Sequence, residues 1–238
     1  MHKLAAKLLI GTVLFFAAWY LVTLAVPWAP SPWPPVYWAE EIRARVIDAD
    51  TKAPLEGVIV AANWELRDPW IGPVGQVAVM EAVTDKDGRF TIPAWGPRLR
   101  GSLTGRLTFS DPRLLFFKSG YVPHGVENKE YLVSNSPFRR SDWAGETIKL
   151  KKFQGSEQEY AKKLHDFDND LDFAFKYHNC SWKNIPLSLA AMHHERERLE
   201  AKGVRDVLGN PRSIERRAEM ADQGRCGPYK DFLRSYLP

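Results

Sequence analysis

The segment from Val83 to Pro93 constrains the fold of this chain more than any other stretch of the sequence. Two runs of alternating apolar residues flank the tetrapeptide Asp85-Lys86-Asp87-Gly88. Gly88 can adopt the positive φ that a tight turn requires, and the aspartate side chains can accept hydrogen bonds from nearby backbone amides. After the turn, Phe90 and Ile92 would point to one face, because side chains alternate along a strand. The segment therefore predicts a β-hairpin.

A second pair of predicted strands precedes this hairpin. Ile42 to Asp48 ends in a polar turn, and Val58 to Ala62 follows the sequence Pro54-Leu55-Glu56-Gly57. Short strands separated by turn residues are typical of a β-sandwich. Roughly seven core strands are expected, from candidates at residues 40–48, 57–64, 76–84, 89–93, 105–110, 114–118, 130–134 and 146–151.

Together these segments resemble the carboxypeptidase regulatory-like domain. The shared order is a strand ending in Asp48, a polar turn, Pro54-Leu55-Glu56-Gly57, a valine-rich strand, a long loop, and the run from Val83 to Pro93. The resemblance covers about residues 40 to 152 and implies a seven-stranded, prealbumin-like (transthyretin-like) β-sandwich. Members of the family are mainly non-catalytic modules, found beside peptidase domains or within bacterial envelope proteins. The resemblance implies a location more than an activity, because a fold does not fix a function.

The N-terminal region is strongly apolar. Leu8 to Val26 contains no charged residue and follows Lys3 and Lys7. At about 1.5 Å per residue, a helix of this length approaches the roughly 30 Å of the bilayer's hydrocarbon core. We predict a transmembrane signal-anchor over residues 8–26, with residues 1–7 in the cytoplasm. The protein would then be a single-pass protein of the inner membrane, with its bulk in the periplasm or extracytoplasmic space. Cleavage near Thr23-Leu24-Ala25, which would give a secreted protein, is the alternative.

The remaining chain divides by composition and periodicity. Residues 27–37 are rich in proline and tryptophan and predict an extended spacer. Residues 38–153 carry the predicted sandwich, and residues 154–238 switch to a helical period. The predicted fold class is therefore mainly β, with a small C-terminal α-helical appendage. Further helices are expected over residues 185–202 and from Asn210 to near Gly224, and the apolar face of the first helix comprises Tyr160, Leu164, Phe167, Leu171 and Phe175.

Two cysteines, Cys180 and Cys226, lie in the predicted helical region. In an oxidising compartment, an even pair most simply forms one disulfide. Two separate thiols, one of them buried, are the alternative. The predicted signal-anchor favours the disulfide, because it places the region outside the cytoplasm.

Several functional classes are not expected. Lys3 and Lys7 account for two charges of the net +4, and the remainder is spread along the chain. The basic clusters at Arg139-Arg140 and residues 212–217 are too sparse for nucleic-acid binding. His194 and Glu197 have the spacing of zinc peptidases, but no later histidine supplies a third ligand, so a charged helix face is the simpler interpretation. Asp166 to Asp172 resembles a calcium loop without its glycine and glutamate, and an acidic helix is favoured. No cofactor or metal is expected.

The two longest predicted loops, residues 65–75 and 94–105, are candidate binding regions. Trp70, Trp95, Arg98 and Arg100 are the candidate ligand contacts, with buried or loop-packing roles for the tryptophans as the alternative. The leading functional hypothesis is a non-enzymatic, membrane-anchored binding or scaffolding module that contacts another envelope component. A carbohydrate-binding module for cell-wall glycan, with an exposed row of Trp70 and Trp95, is the second hypothesis. A zinc-dependent or other hydrolase is the third.

Overall fold

The computed structural model describes residues 11–21, 36–102, 104–108, 110–129, 136–177, 179–204, 212–222 and 225–237. About 32% is helix and about 32% is strand. The prediction of a mainly β fold with a small helical appendage is therefore wrong, and the chain is a mixed α and β protein. Its helices pack against a sheet as a full layer with a core of their own.

The described strands form three sheets. In chain order the strands are β1 (Val36–Ala39), β2 (Ile42–Asp48), β3 (Ile59–Asp68), β4 (Gly72–Val83), β5 (Arg89–Ile92), β6 (Trp95–Leu99), β7 (Arg106–Leu107), β8 (Arg113–Phe117), β9 (His124–Val126), β10 (Phe138–Arg139) and β11 (Thr147–Leu150). Sheet A has the order β10, β1, β6, and sheet B has the order β11, β2, β5. Sheet C has the order β4, β3, β8, β9, with β7 paired to β3. The candidate strand at 130–134 lies outside the described residues.

Sheets A and B are consecutive halves of one layer. β1 leads into β2 across Glu40 and Glu41, and each of these central strands has one parallel and one antiparallel neighbour. This outer layer shares one core with sheet C, so the strands form a β-sandwich. Inward side chains of both layers build that core, among them Tyr37, Ile42, Ala44, Phe90, Ile92, Trp64, Leu66, Leu114 and Phe116.

Sheet C is buried on both faces. On β3, Val60 and Trp64 belong to the sandwich core, whereas Ala61 faces a second core that it shares with the helices. On β8, Phe116 faces the sandwich core and Phe117 faces the helices. Strands buried on both faces lose the polar alternation of a half-exposed strand. The molecule therefore has three layers, with sheet C in the middle.

The described helices are α1 (residues 11–21), α2 (Glu157–Asp170), α3 (Pro186–Ala201), α4 (Arg212–Asp222) and α5 (Tyr229–Arg234). The predicted apolar face of the first C-terminal helix is confirmed for Tyr160, Leu164 and Phe167, which are buried in α2. Leu171 and Phe175 are also buried, but they lie beyond the end of α2. Phe167 stacks on Phe117 of β8 with 5.3 Å between ring centroids. The second predicted helix is confirmed as α3, with Pro186 in its first turn.

Two contacts fasten the helical layer. The Glu81 carboxylate on β4 accepts hydrogen bonds from the backbone amides of Leu187 at 2.8 Å and Ser188 at 2.7 Å, so a sheet residue caps α3. Burial raises the pKa of Glu81 despite these bonds. The predicted Cys180–Cys226 disulfide is confirmed, with 5.6 Å between the Cα atoms. It ties the segment before α5 to the segment that precedes α3.

The turn at Asp85 is confirmed, but the hairpin predicted around it is wrong. The Asp85 carboxylate accepts hydrogen bonds from the amides of Asp87 and Arg89, each at 2.9 Å, and Gly88 has a φ of +73°. The strands on either side then part, because β4 pairs within sheet C and β5 pairs within sheet B. The turn therefore carries the chain from sheet C to sheet B. Phe90 then enters the sandwich core from the layer opposite sheet C.

Both long loops predicted as binding regions contain paired strands in the structure. Residues 65–75 continue β3 and β4 into a long hairpin, closed by a turn at Pro69 to Ile71. Residues 94–105 contain β6, which pairs with β1. The prolines and glycines predicted turns in both segments. The 65–75 segment pairs locally within its hairpin, whereas β6 pairs with β1, which lies far earlier in the chain.

The predicted transmembrane helix is not found. Within residues 8–26, the structure describes residues 11–21 as α1, and the remainder lies outside the described part. Among the described residues, no helix combines the length and the apolar character needed to cross a bilayer. This finding contradicts the predicted signal-anchor and, with it, the predicted single-pass location in the inner membrane. Residues 27–35 of the predicted spacer are also outside the described part, and residues 36 and 37 belong to β1.

Candidate functional site

The outer surface of sheet A is apolar. Along β1, Tyr37 and Ala39 belong to the core, so the alternate residues Val36 and Trp38 face outward. Their partners across the strands are exposed: Leu99 of β6 lies opposite Val36, and Phe138 of β10 lies opposite Trp38. The exposed fractions of Leu99 and Phe138 are 67% and 59%. We call Val36, Trp38, Leu99 and Phe138 the aromatic patch.

The backbone of sheet A fixes the aromatic patch. The rings of Trp38 and Phe138 stack with 5.2 Å between centroids and 19° between planes. Beneath Trp38, a Cβ atom on Gly96 would lie 2.8 Å from the Trp38 Cα atom, so only glycine allows β6 to approach this closely. An exposed ion pair between Arg140 and Glu40 (2.9 Å) lies beside the patch.

The outer surface of sheet B is polar and basic. Its central strand turns Arg43 and Arg45 outward, and its neighbours turn Arg89 and Lys149 outward. Threonines occupy the other outward positions of β5 and β11, so these strand positions carry no carboxylate. Glu41, just before β2, pairs with Arg43 at 2.7 Å. The outer layer therefore has an apolar half and a basic half.

Of the candidate ligand contacts, Trp95 and Arg98 lie together and Arg100 lies in the interior. Trp95 is 6% exposed and meets Trp64 edge to face, with 5.3 Å between ring centroids. The Arg98 guanidinium lies 5.3 Å from the Trp95 ring centroid and donates to the Val77 carbonyl oxygen at 3.1 Å. Arg100 is buried, donates to the Gly105 carbonyl oxygen, and has a pKa that burial lowers. The Arg98–Val77 hydrogen bond joins β6 to β4, and the Trp95–Trp64 contact joins β6 to β3.

Trp70 lies apart from the other candidate contacts, at the tip of the β3–β4 hairpin. It is 94% exposed. The Asp68 carboxylate accepts hydrogen bonds from the amides of Trp70 (2.8 Å) and Ile71 (3.0 Å), which fixes the tip. Hydrogen bonds from the Thr104 side chain and then from these amides lower the pKa of Asp68. Since Trp70 is six residues beyond Trp64, it lies roughly 20 Å along the strand from the Trp64–Trp95 pair, and no row of Trp70 and Trp95 forms.

A small polar cavity of about 90 Å³ lies between sheet C and the end of α2. The Glu65 carboxylate accepts a hydrogen bond from the Tyr177 hydroxyl at 2.8 Å and pairs with Arg67 at 2.7 Å. Arg113 pairs with Asp170 at 2.7 Å. Acidic and basic side chains in this polar cavity therefore neutralise one another.

Asp111 is the most perturbed group in the polar cavity. Burial raises its pKa to about 6. Its carboxylate accepts hydrogen bonds from the amides of Glu65 (3.1 Å) and Thr108 (2.7 Å), and its side chain lies near Arg139 of β10. All of these partners hold the connection between β7 and β8 beneath sheet A. The Asp111 carboxylate also accepts a hydrogen bond from the Thr108 hydroxyl at 3.0 Å, so it connects several elements of the fold.

The two metal-like patterns do not converge in the structure. Glu197 lies 3.2 Å from His193 rather than from His194, as neighbours one turn apart on α3. Asp168 forms a bidentate pair with Arg217 at 2.7 Å, inside the helical layer. Within the described ranges, no group of three or more His, Cys, Asp or Glu side chains has a metal-binding arrangement.

Sequence reasoning missed the aromatic patch. Trp38 falls at the boundary between the predicted spacer and the predicted sandwich, and Val36 falls within that spacer. The run Val36-Tyr37-Trp38-Ala39 is apolar at every position, so alternation gives no contrast between inward and outward residues. Leu99 and Phe138 reach the patch only through pairing with β1. The sequence did contain one signal for the patch. Side chains alternate along a strand, so two of four consecutive apolar residues must face away from the core.

Comparisons with known proteins give no family for this chain. No family model matches it, and a search of curated proteins finds no match. Among solved structures, a streptococcal ancillary pilin matches with TM-score 0.27 and 14% identity, over 51% of this chain and 30% of that chain. A 3-chlorocatechol 1,2-dioxygenase from Rhodococcus opacus matches with TM-score 0.28 and 16% identity, over 49% and 61%. A 9R-lipoxygenase from Cyanothece matches with TM-score 0.26 and 14% identity, over 66% and 25%.

This chain spans less than two thirds of the length of each of these three proteins. At such low TM-scores and identities, the matches support no statement about the fold or the activity of this chain.

Proposed function

We propose that the protein is a non-enzymatic module that binds another protein through the aromatic patch. The observation that carries this proposal is the exposure of Leu99 and Phe138 beside Val36 and Trp38 on a regular sheet face. Contiguous exposed apolar side chains on a folded protein are typical of interaction surfaces. Tryptophan and its packed neighbours also contribute a large share of binding energy where they become fully desolvated.

The basic half of the outer layer indicates the chemistry of the partner. Arg43, Arg45, Arg89 and Lys149 extend from sheet B on the same side of the molecule as the aromatic patch. A partner with an apolar centre and acidic groups to one side would complement both halves. Rim charges of this kind mainly increase the association rate and make it depend on salt.

The resemblance to carboxypeptidase regulatory-like domains supports this proposal. The β-sandwich and the Asp85–Gly88 turn agree with that resemblance, and the family it implies is mainly non-catalytic. Membership of that family remains part of the proposal.

The hypothesis of a glycan-binding module is less favoured. Trp95 is turned into the core, and Trp70 is alone on its hairpin tip. Trp38 and Phe138 stack on each other, so one face of each ring is already covered and they do not form a flat platform for a sugar.

Site-specific photo-crosslinking tests the proposal. A photoreactive residue at position 99 in the full chain should capture a partner in the cells that express the protein, and the same residue at position 91 in sheet B provides the comparison. The captured protein is then purified, and its affinity is measured for wild type, Leu99→Ser and Phe138→Ser. We expect each substitution to weaken binding by about tenfold, or about 1.4 kcal/mol.

Matched controls are available on the β3–β4 hairpin tip. Ile71→Ser and Trp70→Ser remove exposed apolar side chains of the same kinds outside the aromatic patch, and they should leave the affinity unchanged. A loss caused by the tip variants but not by the patch variants would contradict the proposal. So would binding of a cell-wall glycan fragment, or of a second copy of this chain, in place of the captured protein.

A further inference from the structure

A second cavity lies far from the aromatic patch, within the helical layer. It is a groove of about 270 Å³ between α3, α4 and α5. We call it the helical groove. Its apolar lining consists of Ile214, Tyr229, Leu233 and Leu237, of which the first three are buried. The Tyr229 ring also contacts buried Trp182, with 5.6 Å between centroids, so the floor of the groove is continuous with the helical core.

Apart from the Tyr229 hydroxyl, the polar side chains that line the helical groove are basic. They are His193, Arg196, Lys230 and Arg234, and no carboxylate is among the lining residues described. Exposed carboxylates outside the lining pair with two of them: Glu200 is 3.7 Å from Arg196, and Asp231 is 3.2 Å from Arg234. The Arg234–Asp231 pair is exposed on both sides and therefore contributes little to stability, so a ligand carboxylate can replace Asp231 at low cost.

His193 is a neutral member of this lining. An arginine nitrogen can only donate, so the 2.9 Å contact between Arg196 Nη2 and His193 Nδ1 makes Nδ1 an acceptor. The proton of the neutral ring is then on Nε2, which lies 3.2 Å from Glu197. Burial lowers the pKa of His193, in agreement with this tautomer. His193 therefore orients Arg196 at the mouth of the helical groove.

We propose that the helical groove binds a small amphiphilic carboxylate, with its aliphatic or aromatic body on the apolar floor and its carboxylate among Arg196, Lys230 and Arg234. Ligand pockets are commonly apolar with a few convergent polar groups, and guanidinium groups match a carboxylate in geometry. At about 30 Å³ for each atom of water size, 270 Å³ holds roughly nine non-hydrogen atoms. A medium-chain carboxylate fits this size.

Comparison with the polar cavity beside sheet C supports the assignment. That cavity is smaller, at about 90 Å³, and contains both Glu65 and Asp170 opposite Arg67 and Arg113. Its charges are satisfied internally. The helical groove combines a larger volume with lining charges of one sign, which is the combination that an anionic ligand requires.

Titration of the purified full chain with octanoate, below the concentration at which octanoate forms micelles, tests this proposal. Calorimetry gives the affinity and stoichiometry, and amide NMR shifts give the location. Octylammonium has the same chain with the opposite charge, and acetate has the same charge without the chain. We expect one octanoate site, with shifts at Tyr229 and Leu233, and an affinity at least about tenfold higher than for either control.

Substitutions separate the helical groove from general attraction of anions. The double variant Lys230→Gln and Arg234→Gln changes exposed side chains of α5 and should weaken octanoate binding by about tenfold. Arg216→Gln removes an exposed charge of α4 outside the lining and should leave the affinity within about twofold. No saturable octanoate binding, equal affinity for octylammonium, or equal loss in the Arg216→Gln variant would each overturn the proposal. Because this ligand site is independent of the aromatic patch, its failure would leave the proposed protein-binding function untouched.

Discussion

The two halves of the outer layer face the same core but present opposite surfaces to solvent. Inward, sheet A contributes Tyr37 and Trp95 and sheet B contributes Ile42 and Phe90, so the two halves are similar. Outward, sheet B presents arginine, lysine and threonine, whereas sheet A presents the aromatic patch. Sheet B shows that this layer folds with a polar outer face. The apolar outer face of sheet A is therefore not a requirement of the fold, which agrees with the proposed binding role of the aromatic patch.

Phe90→Ala should have the largest effect on the free energy of unfolding. Phe90 is 3% exposed and contacts Phe116 with 5.8 Å between ring centroids, so its loss leaves a cavity and should cost about 3–5 kcal/mol. Phe138→Ser removes a ring of the same size from the outward face and should cost less than about 1 kcal/mol. Urea unfolding of both variants measures the difference. Equal losses would show that the aromatic patch is part of the core, and the comparison between the two halves would fail.

The pH dependence of stability should differ beneath the two halves. Under sheet A, Asp111 keeps its proton up to about pH 6, whereas in the unfolded chain it releases the proton near 3.8. The folded state thus binds more protons within this window, so stability falls as the pH rises from about 4 to about 6. Asp111 should contribute roughly 3 kcal/mol to that fall. In sheet B, hydrogen bonds from the Thr51 amide and then from the Tyr121 hydroxyl lower the pKa of Asp48 to about 2. Its contribution to stability is therefore lost only as the pH falls below about 4, opposite to the effect of Asp111.

Asp111→Asn tests this pH effect, because the amide keeps the shape of the side chain and does not titrate. We expect the free energy of unfolding of the variant to change less than that of wild type between pH 4 and pH 6, as measured by thermal or urea unfolding. An unchanged slope would show that Asp111 is ionised throughout, held by the amide of Thr108 and by nearby Arg139.

Gly96→Ala should have the next largest effect, by separating β6 from β1. The new Cβ would lie 2.8 Å from both the Trp38 Cα atom and the Tyr37 carbonyl oxygen. We expect a loss of about 2 kcal/mol in stability, together with a weaker interaction at the aromatic patch. Gly101→Ala is the control, since nothing lies within 4 Å of its Cβ position. If both variants unfold at the same urea concentration, the close approach that supports Trp38 does not exist.

Arg43→Gln and Lys149→Gln should have the smallest effects on stability. Both side chains lie on the solvated face of sheet B, and each change should fall within about 0.5 kcal/mol. If sheet B guides an acidic partner, these variants should instead slow its association and reduce the dependence of that rate on salt. A large loss of stability would mean that the outward charges of sheet B form a structural network, and the contrast between the two halves would be weaker.

The sequence contained much of the local structure. Asp85 and Gly88 predicted the turn, the apolar spacing of Tyr160, Leu164 and Phe167 predicted α2, and Cys180 and Cys226 predicted the disulfide. The apolar runs of β3 and β8 also contained an unused signal. A strand such as Ile59 to Trp64 without regular polar alternation indicates burial on both faces, and so a covering helical layer.

The remaining structure depends on contacts between distant parts of the chain. A turn sequence fixes the direction of the backbone at Gly88, but it does not determine whether the next strand pairs with the last one or crosses to another sheet. The aromatic patch needs the register of β1 with both β6 and β10. The helical groove needs three helices to meet, and no local pattern in α3, α4 or α5 specifies that meeting.

The position of sheet C between two cores has a consequence during synthesis of the chain. β3 and β8 are translated well before α2, so Phe117, Leu115 and Ala61 stay uncovered until the helical layer emerges from the ribosome. A nascent chain or a proteolytic fragment ending near residue 153 would therefore present a broad apolar sheet face. Chaperones bind surfaces of this kind, and proteins that expose them aggregate. Expression of the sheets without the helices should therefore yield insoluble protein, even though the sandwich core would be complete.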